Sequence, residues 1–125
     1  MRDGAILIVT RKFDPHADHV IGILNRRGIP FFRLNTDDFH ADIAIEASGN
    51  DGIIRLSDRW GRTHRFPEQT RSVWHRKPVD PAPPDGIDDP ATRTVIQQET
   101  QEFLTYLAGD DRVPWINNPH ANQAA

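Results

Sequence analysis

Ala5-Ile6-Leu7-Ile8-Val9, then Asp14-Pro15, then Gly28, then Phe31-Phe32-Arg33-Leu34 is the stretch that decides the fold. The first block is an uninterrupted apolar run rich in β-branched side chains, the pattern of a strand covered on both faces in a parallel sheet. Asp14-Pro15 reads as a helix start, because the carboxylate caps free amides and proline sits where no amide donor is needed. Gly28 is the matching stop. Between them Ala17, Val20, Ile21 and Leu24 share one helical face, and Arg26 and Arg27 place positive charge where the helix dipole favours it. Phe31 to Leu34 gives a second short strand. The opening third is therefore a βαβ unit, with parallel strands and a right-handed crossover expected.

Beyond it the pattern turns antiparallel. Ile43 and Ile45 alternate with smaller or polar residues, Gly49-Asn50-Asp51-Gly52 is turn chemistry, and Ile53 to Leu56 resumes an extended pattern, so a hairpin is expected. A second turn at Arg59-Trp60-Gly61-Arg62 leads to a third strand, Thr63 to Phe66, expected to be exposed on one side because its arginine and histidine have nothing apolar to pack on. Ser72-Val73-Trp74-His75-Arg76 reads as another strand, cut by Pro78, and Pro78 to Pro90 as a surface loop. Asp89-Pro90 repeats the cap-plus-proline start and Gly109 the stop, predicting a helix from about Ala91 to Ala108. Its inner face is Val95, Ile96, Phe103, Leu104 and Leu107, with a polar gap at Glu99 and Thr100. Pro114 to Asn117 reads as a last strand, and Asn118-Pro119-His120-Ala121 as a helix start with almost nothing after it.

The chain has 125 residues, 15 basic and 18 acidic, a formal charge of −3 and no cysteine. That is one domain, residues 1–125, with room for a single core. Disulfides, zinc-thiolate sites and thiol nucleophiles are excluded. The acidic balance argues against nucleic acid, and the five-residue apolar run near the start is too short for a signal peptide or spanning helix, so a cytoplasmic, non-membrane protein is expected. Neither GxGxxG nor GxxxxGK[ST] occurs, which counts against a small nucleotide-binding enzyme. No serine has a glycine-flanked elbow, there is no HExxH helix, and the acidic cluster of a receiver domain is replaced by Thr10, Arg11 and Lys12. His16, Asp18, Asp37, Asp38 and His40 have no spacing that fixes a metal.

The blocks Ile6 to Thr10, Asp14 to His19, Arg33-Leu34-Asn35-Thr36-Asp37-Asp38-Phe39, Val73-Trp74-His75-Arg76-Lys77-Pro78 and Trp115-Ile116-Asn117-Asn118-Pro119 occur in one order. Together they resemble the N-terminal, pre-ATP-grasp domain of the ATP-grasp ribosomal peptide maturases, the ligases of microviridin-like or graspetide pathways in RiPP biosynthesis. The resemblance covers nearly the whole chain. It implies an α/β fold of the pre-ATP-grasp kind: a small open sheet with a parallel βαβ start, an antiparallel hairpin insert and a second helix. For a full-length enzyme it implies ATP and magnesium as cofactors, activation of an Asp or Glu carboxylate as an acyl phosphate, and attack by a hydroxyl or amine to crosslink a precursor peptide. The family's nucleotide-clasping and magnesium-binding portions are not among these residues, so the chain is expected to hold no cofactor, to be non-catalytic in isolation, and to partner either the precursor peptide or the ATP-grasp half of the ligase, with a homo-oligomer also open. The rival from another class is a stand-alone protein-binding or regulatory module.

In a βα fold the chemistry gathers at the carboxyl ends of the parallel strands. Arg11 and Lys12 follow the first strand, Asn35, Asp37 and Asp38 the second, and Arg76 and Lys77 the strand containing Trp74; these are the candidate substrate-binding residues. The four cations would steer an acidic peptide or touch phosphate; the plainer account is a solvated rim, with Arg76 an exposed arginine. Asn35 to Asp38 either positions a peptide or is a turn closed by its own side chains, and Asp14 is a cap. Trp74 and Trp115 read as core anchors. Trp60, at a hairpin tip between arginines, reads as a partner-contact residue or as a ring folded onto its own hairpin.

Overall fold

The computed structural model describes residues 4–37, 43–47, 53–76, 86–108 and 112–116. Its elements run β1 (Ala5–Thr10), α1 (Pro15–Arg26), β2 (Phe31–Asn35), β3 (Ile43–Ala47), β4 (Ile54–Asp58), β5 (Thr63–Phe66), β6 (Thr70–His75), α2 (Pro90–Ala108) and β7 (Trp115–Ile116). β2, β1, β6 and β7 form a parallel sheet in that order, and β3, β4 and β5 an antiparallel one. The α/β class, the βαβ start and the hairpin insert are as expected. The expected turn at residues 49–52, most of the loop at 78–90 and the helix start at 118–121 fall outside the described residues.

The alternation of side chains across each strand builds the layers. Leu7 and Val9 of β1, Phe32 and Leu34 of β2 and Val73 of β6 share one face, and pack with Ile54, Leu56 and Phe66 of the small sheet, Leu107 of α2 and Val113. Ile8 is fully buried but lies outside that cluster, on the opposite face, which the crossover assigns to α1 with its buried Ala17 and Leu24. Gly28 ends α1 with a φ of 65°, a conformation open to glycine at little cost. Gly4 is required for space: a Cβ there would lie 2.5 Å from the Gln69 carbonyl oxygen, which accepts the Ala5 amide.

Four expectations are corrected. His64 is buried, not exposed: in β5 the parity that points Thr63 and Arg65 outward turns His64 and Phe66 inward, and the imidazole lies 2.7 Å from the Thr70 hydroxyl and 5.5 Å from the Phe32 ring centroid. Val95 is 56% exposed, whereas Thr100, placed in the polar gap, is buried. The Thr100 hydroxyl donates to the Ile96 carbonyl of its own helix, which satisfies the polar atom and frees the methyl to pack. Trp74 is half-buried. It stands in register between Ile8, fully buried at the sheet centre, and Ile116, 54% exposed at the edge. Cover on this face runs out from β1 towards β7, because α1 joins β1 to β2 at the other side. Trp115, on the opposite face beside Val73, is half-buried and packs against the core cluster, as expected of a core anchor.

Candidate functional site

The loop after β1 is held from two sides. The Asp37 carboxylate accepts the Lys12 amide through both oxygens, at 3.1 and 3.2 Å. Arg33 works from β2: its Nε donates to Asn35 Oδ1, one terminal nitrogen to Asp18 at 2.6 Å, and the other to the Arg11 and Lys12 carbonyls at 2.8 and 3.0 Å. A planar guanidinium with five donors fits this task, since it satisfies main-chain and side-chain acceptors at once. The Thr36 amide and hydroxyl both donate to the Thr10 carbonyl, so β2 and β1 stay joined past the last strand residue. The result is a fixed loop that presents Arg11, Lys12 and Phe13 to solvent.

Beneath that loop lies Asp14. It is buried, caps α1 by accepting the Ala17 amide at 3.2 Å, and accepts the Thr10 hydroxyl at 2.6 Å. Burial pushes its carboxyl up, but the Thr10 hydroxyl, the Ala17 amide and the charges of Arg76 and Arg33 together hold it below the ordinary value. Arg76 reaches it from the end of β6, with Nε 3.6 Å from Oδ2, an ion pair without a hydrogen bond. That buried Nε has no hydrogen-bond partner, and neither does the buried indole nitrogen of Trp115. His75, 6.3 Å from Trp115 between ring centroids, has its pKa pushed down by burial.

The structure thus brings together Arg11, Lys12, Asn35, Asp37 and Arg76 at the carboxyl ends of β1, β2 and β6. Asp38 and Lys77 lie outside the described residues. Arg76 corrects the expectation of an exposed rim arginine: its side chain is only 18% exposed, because the main chain of β6 ends on Val9 and the guanidinium turns in towards the Asp14 carboxylate. The described bonds of Asn35 and Asp37 are not those of a turn closed on neighbouring amides: Asn35 accepts from the Arg33 side chain and Asp37 from the Lys12 amide, 25 residues away. Arg33 itself was missed. Its only signal was a cation between Phe32 and Leu34 in a short strand, and its partners are set by register.

Trp60 stands apart from this cluster. The β4–β5 turn is closed by Asp58, whose Oδ1 accepts the Trp60 and Arg62 amides at 3.0 and 2.8 Å, and Gly61 takes a φ of 87°. The indole is 65% exposed, with the Arg59 guanidinium 5.4 Å from its ring centroid. It does not fold back onto its hairpin. An open groove of about 620 Å³ runs from this turn to Lys12 and α1.

Among the described residues, no group of three or more acidic, histidine or cysteine side chains stands together to hold a metal. Among them, no helix is long and apolar enough to cross a membrane.

Known proteins place the chain. The profile of the MvdD pre-ATP grasp domain matches residues 5–123. None of the curated proteins matches the sequence. The crystal structure of macrocyclase MdnB from Microcystis aeruginosa MRC is 27% identical with a TM-score of 0.82, over 98% of this chain and 40% of that one. Two less similar structures share the fold. One is macrocyclase MdnC from the same organism bound with precursor peptide MdnA, at 21% identity and TM-score 0.76, over 90% of this chain and 35% of that one. The other is a Chryseobacterium gregarium RiPP-associated ATP-grasp ligase in complex with ADP and a leader and core peptide, at 19% and 0.79, over 97% of this chain and 37% of that one. This chain therefore spans about 40% of the length of MdnB. With a family match over nearly all its length and the same layered α/β architecture, the chain belongs to the MvdD pre-ATP grasp domain family.

Proposed function

We propose that this domain is the N-terminal, substrate-side part of an ATP-grasp ligase that crosslinks a ribosomally made precursor peptide by activating Asp or Glu carboxylates as acyl phosphates. The observation that carries the reading is the family match over residues 5–123. Likeness to MdnB across 98% of the chain supports it, and so does the presence of peptides in the structures of two other similar proteins. In this reading the domain is non-catalytic alone. ATP and magnesium belong to the remainder of the ligase, while the held loop carrying Arg11 and Lys12 offers cations to an acidic peptide.

The experiment joins this domain to its ATP-grasp partner segment, in one chain or as two. The mixture receives magnesium, ATP and the small acidic peptide encoded beside it, and the peptide mass is followed. Each crosslink should remove one water and consume one ATP. ATP consumption with every peptide carboxylate left unmodified would overturn the reading.

A further inference from the structure

Two largely buried arginines serve the carboxyl end of the parallel sheet, and they are engaged unequally. Arg33 divides its guanidinium among four acceptors: Asn35 Oδ1, an Asp18 oxygen and the Arg11 and Lys12 carbonyls. Arg76 is as enclosed, 18% exposed against 19%, yet its side chain makes no such bond. Its Nε is buried without an acceptor, and among the described residues neither terminal nitrogen donates to any group. Asp14 does not supply the acceptor, because its oxygens already take the Thr10 hydroxyl and the Ala17 amide and it meets Arg76 at Nε from 3.6 Å. A guanidinium carries five N–H donors in one plane, and an enclosed polar group left unmatched calls for a cause. The main chain holds this one in place: the Arg76 amide donates to the Val9 carbonyl at 2.9 Å.

We propose that Arg76 is a carboxylate-binding residue, whose two terminal nitrogens take both oxygens of one Asp or Glu side chain brought to the carboxyl end of the sheet. Two unengaged nitrogens on one plane match a planar group with two oxygens, the pairing for which a guanidinium is best suited. A single carbonyl or amide oxygen would leave one of them unmatched. Charge favours a carboxylate over a phosphate. Among the described residues this end of the sheet holds Arg11, Lys12, Arg33 and Arg76 against Asp14, Asp18 and Asp37, a surplus of one positive charge. One carboxylate is matched by that surplus; a doubly charged phosphate is not. Asp14, standing at Nε, orients the guanidinium and leaves its two-nitrogen end to the ligand. That the carboxylate belongs to the ligase's peptide substrate rests on the function proposed above; that Arg76 takes a carboxylate does not.

The probe is N-acetylglutamate N-methylamide, a glutamate flanked by peptide bonds, titrated into the full chain at constant ionic strength. The readout is the NMR shift of the Arg76 Nε–H group, identified by its loss in Arg76→Lys. A saturable shift in the millimolar range is expected. The glutamine analogue should bind at least about tenfold more weakly, the loss that accompanies a charge-assisted hydrogen bond worth about 1.4 kcal/mol or more. Inorganic phosphate should also bind more weakly than the glutamate probe. Arg76→Lys keeps the charge beside Asp14 and removes the fork, so binding read at the Thr10 and Ala17 amides should weaken about tenfold. The wild-type titrations decide the matter even should that variant unfold. Absence of a saturable shift, equal binding of the glutamine analogue, tighter binding of phosphate, or undiminished binding by folded Arg76→Lys would overturn the proposal. In the assembled ligase Arg76→Lys should raise the KM for the precursor about tenfold with kcat little changed; an unchanged KM with the probe still bound would discard the precursor as the source of the carboxylate. Crosslinking without probe binding would discard the carboxylate site alone, and probe binding without crosslinking the ligase reading alone.

Discussion

The chain begins both of its helices with the same two residues, and the structure treats them differently. Asp14-Pro15 and Asp89-Pro90 each place a carboxylate at the cap and a proline in the first turn. Asp89 stays exposed and bonds only its own first turn, through the Thr92 amide and hydroxyl at 3.1 and 2.6 Å. Asp14 caps Ala17 in the same way, yet it also receives the Thr10 hydroxyl from β1 and faces the Arg76 guanidinium from β6. The Asp89 carboxyl is held low by Thr92 and the Ala91 amide of its own first turn, the Asp14 carboxyl by groups from four elements working against burial. A cap on the surface is a local device. A cap at the mouth of a parallel sheet becomes a junction between strands, and its loss is felt well beyond its helix.

The largest expected effect tests that junction. Asp14→Ala removes the cap and leaves the Arg76 guanidinium, 18% exposed, without its carboxylate. Denaturant melts should show a loss of about 2 to 4 kcal/mol. A loss no greater than that of Asp89→Ala would erase the distinction.

Acid stability sharpens the comparison, provided His64 is separated from Asp14. Burial pushes the His64 pKa from 6.5 down to about 4. The folded protein then resists a proton that the unfolded chain accepts, so stability is complete above pH 6.5, declines as pH falls towards 4, and levels off below that. The decline is on the order of 2 to 3 kcal/mol. Asp14, with its pKa lowered from 3.8, contributes stability above that value that is lost only as pH falls below it. In His64→Gln the upper limb should shrink to the share of His75, whose pKa burial also lowers, and the lower one remain. An unchanged slope between pH 6.5 and 4 would place the titration elsewhere.

Next come the junction's arms. Thr10→Val keeps the shape and removes the hydroxyl that donates to Asp14, with an expected loss of about 1 to 2 kcal/mol. Arg76→Ala should cost a similar amount by thermal or chemical melt, more than an exposed arginine, whose removal stays within about half a kcal/mol. A neutral result for either would mean that Asp14 needs only its own helix. The smallest effect belongs to Asp89→Ala: a slight fraying of the first turn of α2, seen as faster amide exchange at Thr92 and Arg93 with little change in the global melt.

The closed mouth of the sheet shows what each level of description decides. Apolar runs, cap residues, glycines and turn pairs are local, and they located nearly every described strand and both helices, because periodicity and capping depend on neighbours in the chain. The fold class and family followed from those blocks and their order. Parity within a strand was equally local for Leu7 and Val9, yet the same rule was set aside for His64 on grounds of polarity, and the structure buries it against Phe32 and Thr70. Sheet order, β2–β1–β6–β7, could not be read, since it is settled by which strands meet in space. With it came the partners of Arg33, the inward turn of Arg76 and the fading cover over Trp74. The sequence by itself determined which segments are strands and helices and where charge is available. Only the tertiary structure decided which charges are consumed in holding the loop after β1 and which face the groove, because that depends on contacts such as Lys12 to Asp37 that join residues far apart in the chain.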